Sequence, residues 1–129
     1  MPKTPLISIV DDDMSVLEGT ASLLESHGYA TAAFCSAEAF LQSDELEDTS
    51  CLLTDVRMPG VSGLDLQRRL RLAGHRIPTI VVSAHADAHT RAAALECGAL
   101  GFLTKPVSEE RLISYLQQAL CADTSPSAQ

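Results

Sequence analysis

Four short apolar runs in this chain each end in a residue that can do chemistry. Ile7-Ser8-Ile9-Val10 stops at Asp11, Asp12 and Asp13; Cys51-Leu52-Leu53-Thr54 stops at Asp55; Ile80-Val81-Val82 stops at Ser83; and Phe102-Leu103-Thr104 stops at Lys105-Pro106. An acid or a serine behind one strand is ordinarily a helix cap. Four such tips at the spacing of successive βα units mean more, because in open parallel α/β sheets ligands collect in the crevice beyond the carboxyl ends of the strands. Asp11, Asp12 and Asp55 gathered there repel one another unless a cation lies among them. Hard oxygen donors select Mg²⁺ or Mn²⁺, an ion that binds few carboxylates, retains waters and bridges to phosphate. A carboxylate that receives a phosphoryl group needs charge neutralisation on the transferring oxygens more than it needs a base. The Lys105 ammonium and the Ser83 hydroxyl are suited to that task.

The elements that must deliver these tips can be read in order. Leu6 to Val10 forms the first strand, and Asp13 or Ser15 caps a helix whose apolar positions Val16, Leu17, Thr20, Ala21, Leu23 and Leu24 keep a 3.6-residue period up to Gly28. A second strand covers residues 29–34, and Ser36 opens a short helix through Phe40 and Leu41. The acidic stretch Asp44-Glu45-Leu46-Glu47-Asp48 reads as a solvated loop. The strand ending at Asp55 is closed by Met58-Pro59-Gly60, after which Ser62 and Asp65 look like a capping box for a helix with Leu66, Leu70 and Ala73 inward, ended by Gly74. Pro78 fits only the start of the next strand. A fourth helix, residues 87–97, offers Ala88, Ala92 and Leu95 as a thin inner face, which implies a loosely held element. After Gly98 a strand over 100–104 precedes a helix capped by Ser108 and buried through Leu112, Tyr115, Leu116 and Ala119. Five strands alternating with five helices specify a doubly wound parallel sheet of order 2-1-3-4-5 with helices on both faces.

Bulk properties narrow the function. The 129 residues, 46% of them hydrophobic, suffice for one domain, taken as 1–122, with 123–129 as a flexible tail or truncated linker. A formal charge of −8 argues against direct contact with nucleic acid or an anionic membrane. The one basic cluster, Arg68, Arg69 and Arg71, lies late in a helix and reads as a solvated face. Cys35, Cys51, Cys97 and Cys121 have no metal-ligand spacing and read as free buried thiols of a reducing compartment. Without a signal-peptide pattern or a membrane-length apolar run, the expectation is a cytoplasmic protein.

Taken together, the Asp11-Asp12 pair, Asp55 ahead of Met58-Pro59-Gly60, Ser83-Ala84 and Lys105-Pro106 resemble the receiver domains of two-component response regulators, over nearly the whole chain from Ile7 to about Leu120. The resemblance implies that Asp55 is the phosphoacceptor, and that Mg²⁺ is held by Asp12, by Asp11 largely through water, by Asp55 and by the backbone carbonyl of Arg57. Lys105 and Ser83 would bind the phosphoryl oxygens. Phe102 takes the aromatic switch position, which turns inward as Ser83 moves. The implied partners are a sensor histidine kinase or phosphotransfer protein and a second copy of the chain, joined through the face of the fourth helix, fifth strand and fifth helix. The motifs around Asp55 and Lys105 are similar to those of regulators with LuxR-type helix-turn-helix outputs, which implies control of transcription. Arg57 and His85 each lie two residues past a site residue, where they can shield the phosphoryl group from hydrolytic water.

A rival reading is enzymatic. Asp11-Asp12-Asp13-Met14-Ser15 also satisfies the DxDx(S/T) pattern of haloacid-dehalogenase-like phosphatases with Asp11 as nucleophile, but this leaves Asp55 without a role and lacks the distal acidic pair of that family. A flavin-binding module is disfavoured because acids, not a phosphate-cradling loop, follow the first strand.

Overall fold

The computed structural model describes residues 5–57, 60–84, 88–105 and 107–124, the last four by their backbone alone. Met58, Pro59, His85, Asp87, Pro106 and the side chain of Cys121 lie outside the described residues, as do residues 125–129 of the expected tail. The order is β1 (Leu6–Val10), α1 (Met14–Ser26), β2 (Ala30–Phe34), α2 (Ala37–Leu41), β3 (Cys51–Asp55), α3 (Gly63–Leu72), β4 (Thr79–Ser83), α4 (Ala88–Glu96), β5 (Gly101–Thr104) and α5 (Glu109–Thr124). All four strand pairings are parallel and the sheet order is β2-β1-β3-β4-β5, the arrangement expected. The helical backbone of α5 continues to Thr124, past the 122/123 boundary expected for the domain. Among the described residues no helix is long and apolar enough to cross a membrane.

Strands buried on both faces read as continuous apolar runs, and their alternation sorts the core into layers. Ile7, Ile9, Cys51, Leu53, Ile80, Val82 and Leu103 pack with Leu17 and Leu24 of α1 and Leu112, Leu116 and Ala119 of α5. On the other face Val10 and Leu52 pack with Ala37 and Phe40 of α2 and Leu66 and Leu70 of α3. Val81 and Phe102 pack with Val56 and with Ala94 of α4. Local signals act where expected: Asp13 caps α1 by accepting from the Ser15 N–H (2.9 Å), Ser36 caps α2, and Ser62 accepts from the Asp65 N–H (3.2 Å). Gly28, at φ 90°, lets the Tyr29 N–H return to the Leu24 carbonyl.

Three expectations need correction. The inner face of α4 is not Ala88, Ala92 and Leu95: the first two are exposed, Leu95 is 49% exposed, and Ala94 is the buried residue. An alanine-rich helix has little apolar contrast to set its rotation, and the single large side chain points outward. The acidic stretch is not wholly loop, since residues Asp44–Leu46 form a 3₁₀ turn whose Leu46 leans on the α2/α3 layer while the carboxylates stay exposed. Of the described cysteines Cys51 alone is buried, its thiol pushed up to about 12 chiefly by burial; Cys97 is half-buried and Cys35 is exposed.

Candidate metal centre at the strand tips

Register places the site. Val10 pairs with Thr54, so the next residues, Asp11 and Asp55, emerge side by side; Asp55 pairs with Val82 and Ser83 with Thr104, so Lys105 emerges one step beyond. Strand alternation then sets the side. Asp11 continues the row of Ile7 and Ile9, Asp55 that of Cys51 and Leu53, and Lys105 that of Leu103, all on the α1/α5 face. Ser83 continues the row of Val81, on the α4 face.

Three of the expected residues present a ligand cluster: one carboxylate oxygen each from Asp11, Asp12 and Asp55 lies within 4.8 Å of the others. Asp11 and Asp55 are buried and Asp12 is exposed. Lys105 Nζ lies 3.1 Å from Asp11 Oδ2 and 3.5 Å from Asp55 Oδ2, so one ammonium pairs with two of the three carboxylates. The Asp13 N–H donates to Asp11 Oδ1 (3.0 Å) and fixes that carboxylate while Asp13 itself caps α1. Burial raises the Asp55 pKa and the Asp11 charge adds to the rise, with Lys105 opposing both. Burial pulls Lys105 down, but its hydrogen bond to Asp11 and the charges of Asp55 and Asp11 outweigh this and leave it raised. Excess negative charge on converging oxygens, open on the Asp12 side, suits a hard divalent cation.

The other expected residues contribute no carboxylate to this cluster. Ser83 is buried, and its carbonyl accepts from the Lys105 N–H (2.8 Å), which ties the β4 and β5 tips together. Phe102 is buried in the α4 layer with the Arg91 guanidinium 5.7 Å from its ring centroid. The Arg57 side chain is exposed, and His85 lies outside the described residues. Sequence reasoning missed Gly63. A Cβ there would lie on the Asp55 carbonyl oxygen and 3.2 Å from Thr54 Oγ1, while the Gly63 N–H donates to the Val56 carbonyl (3.0 Å). The signal was a glycine in the first turn of a helix, where propensity alone disfavours it.

The family model of the response regulator receiver domain matches residues 7–117. The chain belongs to this family. Among curated relatives of the receiver, the response regulator protein TodT of Pseudomonas putida is 42% identical over 118 residues, covering 92% of this chain and 52% of that one. TmoT of Ectopseudomonas mendocina is 45% identical over 115 residues, covering 89% and 52%. The transcriptional regulatory protein FixJ of Azorhizobium caulinodans is 39% identical over 120 residues, covering 93% and 57%. The chain thus spans about half the length of the curated relatives it matches. Among solved structures, the response regulator StyR superposes with a TM-score of 0.87 at 37% identity, over 98% of this chain and 64% of that one. The N-terminal part of FixJ gives 0.82 at 34%, over 92% and 95%. These likenesses agree with the receiver fold, and they leave the phosphatase reading with Asp11 as nucleophile without support.

Proposed function

We propose that this receiver accepts a phosphoryl group on Asp55 from a phosphohistidine of a sensor histidine kinase or phosphotransfer protein, and that the modification controls an output, namely transcription through a LuxR-type module. The observation that carries the reading is a buried carboxylate at a strand tip with an ammonium 3.5 Å away and two further carboxylates beside it. An Asp55 oxygen forms the bond to phosphorus while the donor's N–P bond breaks, its electron pair staying with the imidazole nitrogen; a carboxylate nucleophile has no proton to lose, so no base is required. Asp11, Asp12, Asp55 and the Arg57 carbonyl would hold Mg²⁺ or Mn²⁺. When bound, the ion supplies charge neutralisation for the phosphoryl oxygens. Lys105, pivoting from Asp11, and the Ser83 hydroxyl take the remaining oxygens. Movement of Ser83 toward them repacks Phe102, which is already buried in the α4 layer, and so changes the α4/β5/α5 face and favours a homodimer there. Arg57 and His85 lengthen the lifetime of the acyl phosphate. The domain makes no nucleic-acid contact of its own and works in the cytoplasm, as the acidic surface suggests.

Incubation with acetyl phosphate, followed by peptide mass spectrometry, tests this. The phosphoryl mass should appear on Asp55 with Mg²⁺ present and vanish on chelation and in Asp55→Asn. Label that persists in Asp55→Asn but is lost in Asp11→Asn would overturn the assignment.

A further inference from the structure

Because Ala94 is the buried side chain of α4, packed with Val56, Val81 and Phe102, the few other contacts between this helix and β5 weigh heavily. Arg91, one turn before Ala94, makes such a contact: its guanidinium carbon lies 5.7 Å from the centroid of the Phe102 ring. The ring is 4% exposed while the Arg91 side chain is exposed, so the guanidinium covers a ring that otherwise meets the apolar layer beneath α4. A cation has little other reason to stand here. Arg91 ends the first turn of α4, where positive charge opposes the helix dipole, and it has no ion pair with a described carboxylate. The cleft it borders with Leu95 and Tyr115 has no acid in its lining, and the second guanidinium there, Arg111, offers only repulsion. The electron-rich face of Phe102 is the partner that remains. Phe102 pairs with Val81, two residues before Ser83 on the same face of β4, so the ring stands beside the row that ends at Ser83.

We infer that Arg91 is a positioning residue of the switch: its guanidinium pins the Phe102 ring in the seat seen here, ties α4 to β5 through that ring, and lets go when the ring repacks. The switch role rests on the reading of Phe102 as the side chain that repacks after phosphorylation of Asp55; the pinning does not. At 5.7 Å the guanidinium is close to the outer limit of about 6 Å for such a contact, so a small displacement of the ring ends it. A contact made in one arrangement and lost in the other biases the equilibrium by its own worth. Arg91 therefore opposes conversion to the phosphorylated arrangement and keeps α4 seated until Asp55 is modified.

Amide hydrogen exchange and acetyl phosphate labelling of Arg91→Met and Arg91→Lys test the inference. Methionine keeps an unbranched stem and the helix propensity but removes the charge, and lysine returns the charge. In Arg91→Met the α4 amides should exchange about two- to fivefold faster, the worth of one such contact at an exposed site, with those of α1 unchanged. Asp55 should take label faster by a similar factor, whereas simple damage to the fold would slow it. Arg91→Lys should bring both rates back toward those of the parent. In a Phe102→Leu background, Arg91→Met should alter neither rate. Exchange unchanged in Arg91→Met, or changed equally with and without the Phe102 ring, would overturn the pinning, and faster exchange with an unchanged labelling rate would refute the switch role. A parent that takes no label on Asp55 would instead count against the proposed function, with the exchange arm still deciding whether Arg91 pins the ring.

Discussion

Asp55 works against the fold that holds it. Its pKa is raised, by burial first and by Asp11 second, so the folded state binds this proton more tightly than the unfolded chain does. Folding stability linked to such a group is intact below the unfolded pKa, about 3.9 for Asp, and is lost as pH rises through the folded value. Once ionised, the parent therefore carries this penalty, and Asp55→Asn should melt higher at pH values above the folded pKa, by roughly 3–5 °C for a domain of this size if about 1 kcal/mol is relieved. The gain should shrink toward zero near pH 3, where the aspartate is protonated in both states. A pH series of thermal melts on both proteins checks this, and an equal gain at every pH would refute the electrostatic cause. The site was readable at this scale because four strand tips each end in a reactive residue, although one acid behind one strand is ordinarily a helix cap. The ion pairs of Lys105 were not readable, since sequence gives the tip but not which of several acids an ammonium will reach.

Between residue and fold, the helix starts and strand tips hold one another in place. Gly63 lies so close to the backbone of Asp55 that a methyl group there has no space, and the nearest atoms are main chain, which cannot swing aside. Gly63→Ala should lower stability by about 1–3 kcal/mol, the range of overpacking, and slow phosphorylation of Asp55, read by urea melts and by acetyl phosphate labelling. Restoring stability elsewhere in the chain should leave the labelling defect in place, because it comes from a displaced strand tip. The helix α4 shows the opposite regime. Its one fully buried side chain is Ala94, so little apolar area holds it to the sheet. Hydrogen exchange should find its amides opening well before those of α1 or α5, and equal protection would mean that contacts other than apolar burial hold it. Its rotation escaped the sequence for the same reason: the periodicity that located Leu17 and Leu24 in α1 needs contrast between large apolar and polar residues, and α4 has almost none. The burial of Gln67, whose Oε1 has no hydrogen-bond partner among the described residues, was equally illegible, because a polar residue on a helix reads as solvent-facing until the packing is seen.

Over the whole molecule, the acids and the α4/β5/α5 face are joined through β5, which carries Lys105 at its tip and Phe102 in its core. Lys105→Ala should still take label from acetyl phosphate, at a reduced rate, but fail to convert it into a shift of the amides on that face or into self-association by light scattering. Full coupling in this variant would show that the signal leaves the site by another route, such as Ser83 alone. Gly101, at the start of the same strand, gives a practical consequence. The ring of Tyr115 rests where a side chain of residue 101 would stand, so it adds to the seating of α5 on β5 beside the Leu103, Leu112 and Leu116 core. The chain has no tryptophan and two tyrosines, Tyr29 and Tyr115. In a Tyr29→Phe background the remaining emission comes from a single ring lying on the strand that carries Lys105. Ultraviolet fluorescence at one position then becomes an unlabelled optical probe of the β5–α5 seam, able to follow in real time whether chemistry at the strand tips is felt there.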